Sequence, residues 1–234
     1  MGFLSPKKEH MIQYQIVDTE TVGLKKPIEA SGVVSVAYLQ INPETLEVVD
    51  EFYSLVNPGC PIEPDAQAIH GISAEAVADK PYLHELFKIT EPTIAIGHNH
   101  PFDARFLDDQ YDNKVGAYCT LSGARSFYRT APNHKLQTLA DFLGLQRGEA
   151  HNALGDCYTT LNLLRRIVQD SGRSLEQLVK AASKPKHVHV MPFGAHKGKK
   201  LSDLPLQYIR WFDDREVDPD LRYSFDMQLK LRAA

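Results

Sequence analysis

Carboxylates and histidines that could act together fall in three short segments of this 234-residue chain. In the first, Asp18-Thr19-Glu20, the acids stand two apart at the end of an extended run, so both project from one face of a strand. Two carboxylates held together repel unless a cation neutralises them, and hard divalent ions such as Mg2+ or Mn2+ prefer such oxygen ligands. The second segment, Gly97 to Asp103 (GHNHPFD), lies where an apolar strand runs into a helix, with Asp103 in the first helical turn. In open α/β sheets, sites gather at strand ends of this sort. The third, His151 to Asp156 (HNALGD), puts Asp156 in the first turns of a long helix. Five residues separate the pair, so a helix holding both would turn them to different faces. His151 must therefore lean over the site from the preceding loop. Each segment also has an ordinary reading: a solvated strand end, an acid favoured by the helix dipole, an Asn152 helix cap. Jointly, four carboxylates and one imidazole form a specific set.

Hydropathy periods supply the scaffold for that set. From Met11 to Asp18, apolar Ile12, Tyr14 and Ile16 alternate with Gln13 and Gln15, as in a strand with one buried face. Val33 to Ile41 and Val48 to Val56 read as two more strands. The turn Asn42-Pro43-Glu44-Thr45 joins them into an antiparallel meander. Thr93 to His98 (TIAIGH) is short and apolar, as a strand buried on both faces would be. Helices are expected at Tyr82 to Ile89 behind Pro81, from Phe102 behind Pro101, and at Leu136 to Leu143 before Gly144. The longest runs from about Asn152 to Asp170, with Leu154, Tyr158, Leu161, Leu164 and Val168 as its apolar stripe. Ser174 with Gln177 forms a capping box for a last short helix. This order describes an α/β layered domain over residues 11–182, behind a tail at 1–10.

Beyond a polar linker at 183–187 the composition changes, and residues 188–234 read as a small separate module. Between 184 and 210 stand Lys184, Lys186, Lys197, Lys199, Lys200 and Arg210 against Asp203 alone. Val188 and Val190 alternate with histidines as a strand would, and Lys197-Gly198-Lys199 looks like the basic tip of a hairpin. Leu204 to Phe212 reads as a short helix bearing Tyr208, Trp211 and Phe212. An acidic loop at Asp213 to Asp220 then precedes a final helix, Leu221 to Arg232. Basic residues beside aromatics suit single-stranded nucleic acid through phosphate contacts and stacking, which makes Lys197, Lys199, Lys200 and Trp211 candidate contacts. A mini-core ringed by solvated lysines has the same pattern. His187 and His189 with His196 lack the nearby cysteine or second paired motif expected of a zinc site.

Composition removes several classes. At 43% hydrophobic and 24% charged the chain is neither disordered nor fibrous. No apolar run approaches the roughly 20 residues of a membrane span, so no membrane partner is expected. A net charge of −4 excludes holding nucleic acid by bulk positive charge alone. Cys60, Cys119 and Cys157 form no C-x-x-C, which with the absence of a signal-peptide core points to a reducing, cytoplasmic setting.

The three acidic segments together resemble the DEDDh family of 3′-to-5′ exonucleases, within the RNase H-like superfamily. The matches are DTET-x-G-L (Asp18 to Leu24), HN-x-x-FD (His98 to Asp103) and H-x-A-x-x-D (His151 to Asp156). The stretch from Asn57 to Pro81 is similar to the family's P-I-x-P-x-A-x-x-I-H-x-I segment. That stretch and the third motif look most like the exodeoxyribonuclease X branch. The tail module FG-x-x-KGK…LPLQYIRW is similar to the one at the C-terminus of that branch. One departure is Ser35, which stands near a glutamate common among relatives; it is not one of the five carriers. The resemblance implies a mixed five-stranded RNase H-like α/β sheet flanked by helices, with a small C-terminal α+β module. It implies two-metal phosphodiester hydrolysis using two Mg2+ ions, with Mn2+ as a substitute. By carry-over Asp18 bridges both ions, Glu20 and Asp156 complete the nucleophile-side ion, Asp103 holds a metal-bound water, and His151 is the general base. The same analogy gives Thr19, Thr21, Leu24, His70, Asn99 and Phe102 as substrate-lining residues. The implied partner is a DNA 3′ end, single-stranded first. An RNA 3′-end trimmer uses identical chemistry, and a non-catalytic end-binder or polymerase proofreading partner is a rival of a different class.

Overall fold

The computed structural model describes residues 12–233, apart from 87, 186, 214 and 216. The expected tail at 1–10, Met11, Lys186 of the linker and two residues of the acidic loop lie outside the described residues. The chain divides into two compact units between Lys180 and Ala181.

The first unit is built on five strands: β1 (Gln13–Thr21), β2 (Val33–Ile41), β3 (Val48–Leu55), β4 (Thr93–Gly97) and β5 (Lys114–Cys119). Their spatial order is β3-β2-β1-β4-β5. The first three form the antiparallel meander, while β4 runs parallel to β1 and β5 parallel to β4. Its helices are α1 (Pro64–His70), α2 (Ala74–Val77), α3 (Leu83–Leu86), α4 (Pro101–Leu107), α5 (Thr120–Phe127), α6 (Leu136–Leu143), α7 (Ala153–Ser171) and α8 (Leu175–Ala182). On one face of the sheet Ile16 and Leu39 pack with Leu161 and Leu164 of α7. On the other, Val17 and Val36 pack with Phe106 and Leu107 of α4. The result is the layered RNase H-like arrangement that the motifs implied.

Several local expectations change. β1 is central and covered on both faces, so Gln15 is buried rather than solvated, and its amide oxygen accepts from the Tyr111 hydroxyl at 3.1 Å. The expected helix over 82–89 is a single turn. After it Ile89 donates to the Gln110 carbonyl and accepts from Asp112, so pairing across the sheet edge wins over helix continuation. The buried stripe of α7 is also rotated from the expected one. Leu161 and Leu164 are fully buried, but so are Cys157 and Ile167, while the Tyr158 hydroxyl reaches out to Glu51 at 2.6 Å. Small Cys157 lets α7 sit close enough for its thiol to approach the Ile16 and Ala37 carbonyls. Asn152 caps α7 through the Gly155 N–H, and Ser174 with Gln177 closes the expected reciprocal box. β5, α1, α2 and α5 had no individual forecast.

The second unit holds α9 (Leu206–Arg210) and α10 (Pro219–Ala233) around a core of Met191, Leu201, Ile209, Phe212 and Phe225. The expected hairpin does fold back, since Met191 and Leu201 N–H groups pair with the Lys199 and His189 carbonyls. Only one bridge, Val190 to Lys200, forms there, so among the described residues this unit has no strand. Pro192, which has no N–H, and a 3-10 turn at Gly194–His196 interrupt the ladder. The helix foreseen from Leu204 starts at Leu206, behind Pro205, and the last helix begins two residues early. Among the described residues no helix is long and apolar enough to cross a membrane.

Candidate active site

The C-terminal end of β1 organises everything around it. Asp18 and Glu20 continue the Tyr14–Ile16 face towards α7, as the period of two dictates. Because β4 lies parallel to β1, with Ile16 opposite Ile96, the chain leaves β4 beside Asp18. Gly97 is needed there, since a Cβ would lie 3.2 Å from the Val17 carbonyl oxygen. Asn99 then turns the chain with φ of 69°, its carbonyl accepts from Phe102 N–H, and Pro101 opens α4. Asp103 thus enters the site from the first turn of α4, with only 3% of its surface exposed. The Thr19 N–H and hydroxyl donate to Asp103 Oδ1 at 3.1 and 2.8 Å, tying α4 to β1.

α7 brings the fourth acid. Oxygens of Asp18, Glu20 and Asp156 all lie within 4.8 Å of one another. Asp156 is held from two directions: Gln137 Nε2 of α6 donates to Oδ1 at 2.6 Å, and the His151 N–H donates to Oδ2 at 3.2 Å. His151 is exposed on the loop before α7, with φ of 59°. That loop lies backbone against backbone on the first turn of α7: a Cβ on Gly148 would strike Gly155, and one on Gly155 would strike the Glu149 backbone.

The electrostatics of the cluster are lopsided. Burial, then the charges of Asp103, Asp156 and Glu20, push the Asp18 carboxyl well above the usual range. Burial and the neighbouring Asp156 and Asp103 raise Glu20 to about 7. Burial also raises Asp103 to about 7, against the pull of the Thr19 hydrogen bonds. Asp156 is raised by burial and pulled back by the His151 N–H and by Gln137. Four acids that resist ionising for want of positive charge, three of them converging their hard oxygens, form a donor set that fits a divalent cation.

The remaining forecast residues separate. Thr19 is buried and its hydroxyl is committed to Asp103, while the Thr21 hydroxyl donates to the Gly23 carbonyl. His70 lies near enough to feel the charge of His151, with Nδ1 accepting from Ile72 N–H and its ring against the Thr21 backbone. Burial first, and His151 besides, lowers its pKa. Asn99 is exposed at the turn, Phe102 packs on Phe106, and Leu24 is 77% exposed. Lys197, Lys199, Lys200 and Trp211 belong to the second unit.

Two contributors carried no forecast. Gln137 sits in α6, nineteen residues from its partner Asp156, where nothing in its spacing marks it. His98 lay inside the second motif but without a role. Its ring nitrogens stand 3.0 Å from Thr120 Oγ1 and 2.9 Å from the His134 carbonyl oxygen, joining the exit of β4 to the start of α5. Its histidine type at a strand exit was the available signal.

A mixed sheet with acids converging at its central strand end defines a nuclease-type hydrolase. Residues 16–164 match the model of the exonuclease (RNase T) family, and the chain belongs to that family. It is 31% identical over 229 residues to exodeoxyribonuclease 10 of Escherichia coli (strain K12), spanning 92% of this chain and 98% of that one. The solved structure of exonuclease X in complex with 5′ overhanging duplex DNA superposes with a TM-score of 0.57 at 30% identity, over 71% of this chain and 98% of that one. The nuclease domain of 3′hExo, a DEDDh family member bound to rAMP, shares the fold at a TM-score of 0.54 and 18% identity, over 68% and 92%. Residues 175–220 match a second model, described as a putative quorum-sensing-regulated virulence factor. The protein is an exonuclease, in a family that uses divalent metal ions.

Proposed function

We propose that the chain is a 3′-to-5′ exodeoxyribonuclease that hydrolyses terminal phosphodiester bonds of single-stranded or frayed DNA and releases nucleoside 5′-monophosphates. The observation that carries this reading is the convergence of Asp18, Glu20 and Asp156 within 4.8 Å, with Asp103 beside them and His151 on the adjoining loop. Similarity along nearly the whole length of exodeoxyribonuclease 10 supports DNA as the substrate. The acids would hold two Mg2+ ions, with Mn2+ able to replace them. When bound, the ions neutralise the phosphate and stabilise charge on the attacking and leaving oxygens.

The chain's own residues then have separable tasks. Asp18, placed centrally by β1, would hold the ions together with Glu20, Asp156 and Asp103. Thr19 fixes the Asp103 carboxylate through two hydrogen bonds, and Gln137 fixes Asp156. His151 takes a proton from the attacking water onto an imidazole nitrogen as the new P–O bond forms. An imidazole is suited to this because its ordinary pKa of about 6.5 lies near neutrality. The P–O3′ bond breaks and the departing 3′ oxygen is protonated. Thr21, Leu24, His70, Asn99 and Phe102 are proposed to line the terminal nucleotide. An exposed imidazole without a carbonyl or carboxylate partner on its ring among the described residues is consistent with a base that works only when substrate is present.

One assay tests the reading. End-labelled single-stranded DNA, duplex DNA and RNA of equal length are incubated with Mg2+, with Mn2+ and with EDTA. DNA shortening from the 3′ end only with a divalent ion is expected. Digestion that persists in EDTA, a ladder from the 5′ end, or exclusive cleavage of RNA would each overturn part of the assignment.

A further inference from the structure

Within the C-terminal unit the 193–195 turn, α9 and the residues after it line an open cavity of about 930 Å³. Phe193, Tyr208, Trp211 and Phe212 supply its aromatic lining. A small unit with a finite core ordinarily buries such rings, yet Phe193 is 44% and Trp211 54% exposed. The Tyr208 and Trp211 rings are nearly parallel, with 11° between planes and 6.5 Å between centroids. The Arg215 guanidinium lies 3.7 Å from the Trp211 ring centroid. These are stacked flat groups at a cavity mouth, and a planar ligand extends such a stack.

Charge narrows the ligand further. The turn that supplies Gly194 and Ala195 to the wall is closed by the Lys197 N–H on the Gly194 carbonyl at 3.1 Å. Exposed Lys197, Lys199 and Lys200 follow it directly. The three lysines cluster within four residues on the turn side of the wall, while Asp213, Asp214 and Glu216 flank Arg215 on its other side in the chain. A ligand with flat rings and regularly spaced anions satisfies both features. Double-stranded nucleic acid presents the anions but hides its ring faces in the base stack; an unpaired strand presents both. A peptide would bring backbone N–H and C=O groups that need partners, and the polar side chains of this wall are confined to Gln207, Tyr208, Arg215 and the indole N–H of Trp211.

We propose that this cavity binds an unpaired base of a single nucleic-acid strand, stacked against Trp211, with neighbouring phosphates on Lys197, Lys199 and Lys200. The inference rests on the nuclease reading above and extends it, because it gives the enzyme a strand-holding site made without carboxylates or metal.

Trp211 is the single tryptophan of the chain, so its fluorescence reports the cavity directly. The full-length protein in EDTA is titrated with a thymidine homo-oligomer, a blunt duplex of equal length and polyglutamate. Saturable quenching by the single strand is expected, with little change from the duplex or the polyanionic peptide. Trp211→Ala should weaken binding of a fluorescein-labelled oligomer by on the order of tenfold, read by anisotropy. Lys199→Ala should reduce the slope of log affinity against log salt by about 0.7. Phe193→Ala retains the reporter and should shift the quenching midpoint, which keeps the test decisive if Trp211→Ala fails to fold. An oligomer that binds without disturbing the indole signal, unchanged affinity in both aromatic variants, or saturable quenching by polyglutamate overturns the proposal. Hydrolysis with metal but no quenching removes this inference alone; quenching without hydrolysis removes the nuclease reading and leaves this one.

Discussion

At the end of β1 four acids crowd into a partly buried pocket; in the C-terminal unit three lysines and an arginine accompany half-exposed aromatic rings. The first arrangement repels a polyanion until cations arrive, and the second attracts one without them. Their construction differs as well. The acids stand on regular elements, where strand period and helix start fix their directions, whereas the aromatic cavity is walled by turns and one short helix. On the roles proposed above, cutting calls for rigid, cation-dependent geometry, while holding a strand tolerates a looser surface. The two properties should be separable by mutation.

The largest separation is expected from Asp18→Asn. Turnover should fall roughly 10³-fold or more, since the central ligand is lost, while Trp211 quenching by oligomer stays unchanged. Single-turnover assays beside fluorescence titration measure both, and loss of both together would erase the distinction. His151→Ala should lower turnover about 100- to 1,000-fold while thermal stabilisation by Mn2+ survives. Near-normal activity would remove His151 from the base role. Gln137→Ala frees Asp156 Oδ1 and should cost about 10- to 100-fold in metal affinity or activity, partly restored by Gln137→Asn. A metal titration followed by melting temperature reads that effect; an unchanged midpoint would make the hydrogen bond incidental.

The smallest effect is on stability. Glu20 and Asp103 rise from 4.5 and 3.8 to about 7 in the folded chain. Groups raised on folding contribute their full stability below the unfolded pKa, near 4, and lose it as pH climbs through 7. In EDTA the melting temperature of the native chain, relative to Glu20→Gln, should therefore fall by roughly a few degrees between pH 5 and pH 8. Divalent ions should stabilise more at pH 8 than at pH 5. A flat difference across that range would mean that the acids do not repel as placed.

The site was legible in the sequence where chemistry coincided with period. Asp18 and Glu20 two apart on an alternating strand, Asp103 in a first turn behind proline, and His151 ahead of a capped helix all announce their directions locally. β5 was not legible in that way: Lys114 to Cys119 lies at the sheet edge, with Lys114 and Val115 exposed, so no clean alternation marks it. Gln15 reads as a solvated position until Tyr111, ninety-six residues away, supplies its partner. Ile89 looked helical because Pro81 marks a helix start ahead of it, and only the pairing with residues 110–112 decides otherwise. Gln137 belongs to the same group. Contacts distant in sequence leave no period behind, which is why the carboxylates could be found and the residue steadying one of them could not.

The bare approach of Gly148 and Gly155 has a consequence for how this enzyme tolerates change. Two residues with neither charge nor hydrophobic bulk set the height of the loop that carries His151, so a single added methyl would lift the imidazole and loosen the backbone N–H that His151 donates to Asp156. Sequence drift at these two glycines would thus disturb the position of His151 and of Asp156 together, although neither glycine carries a reactive group.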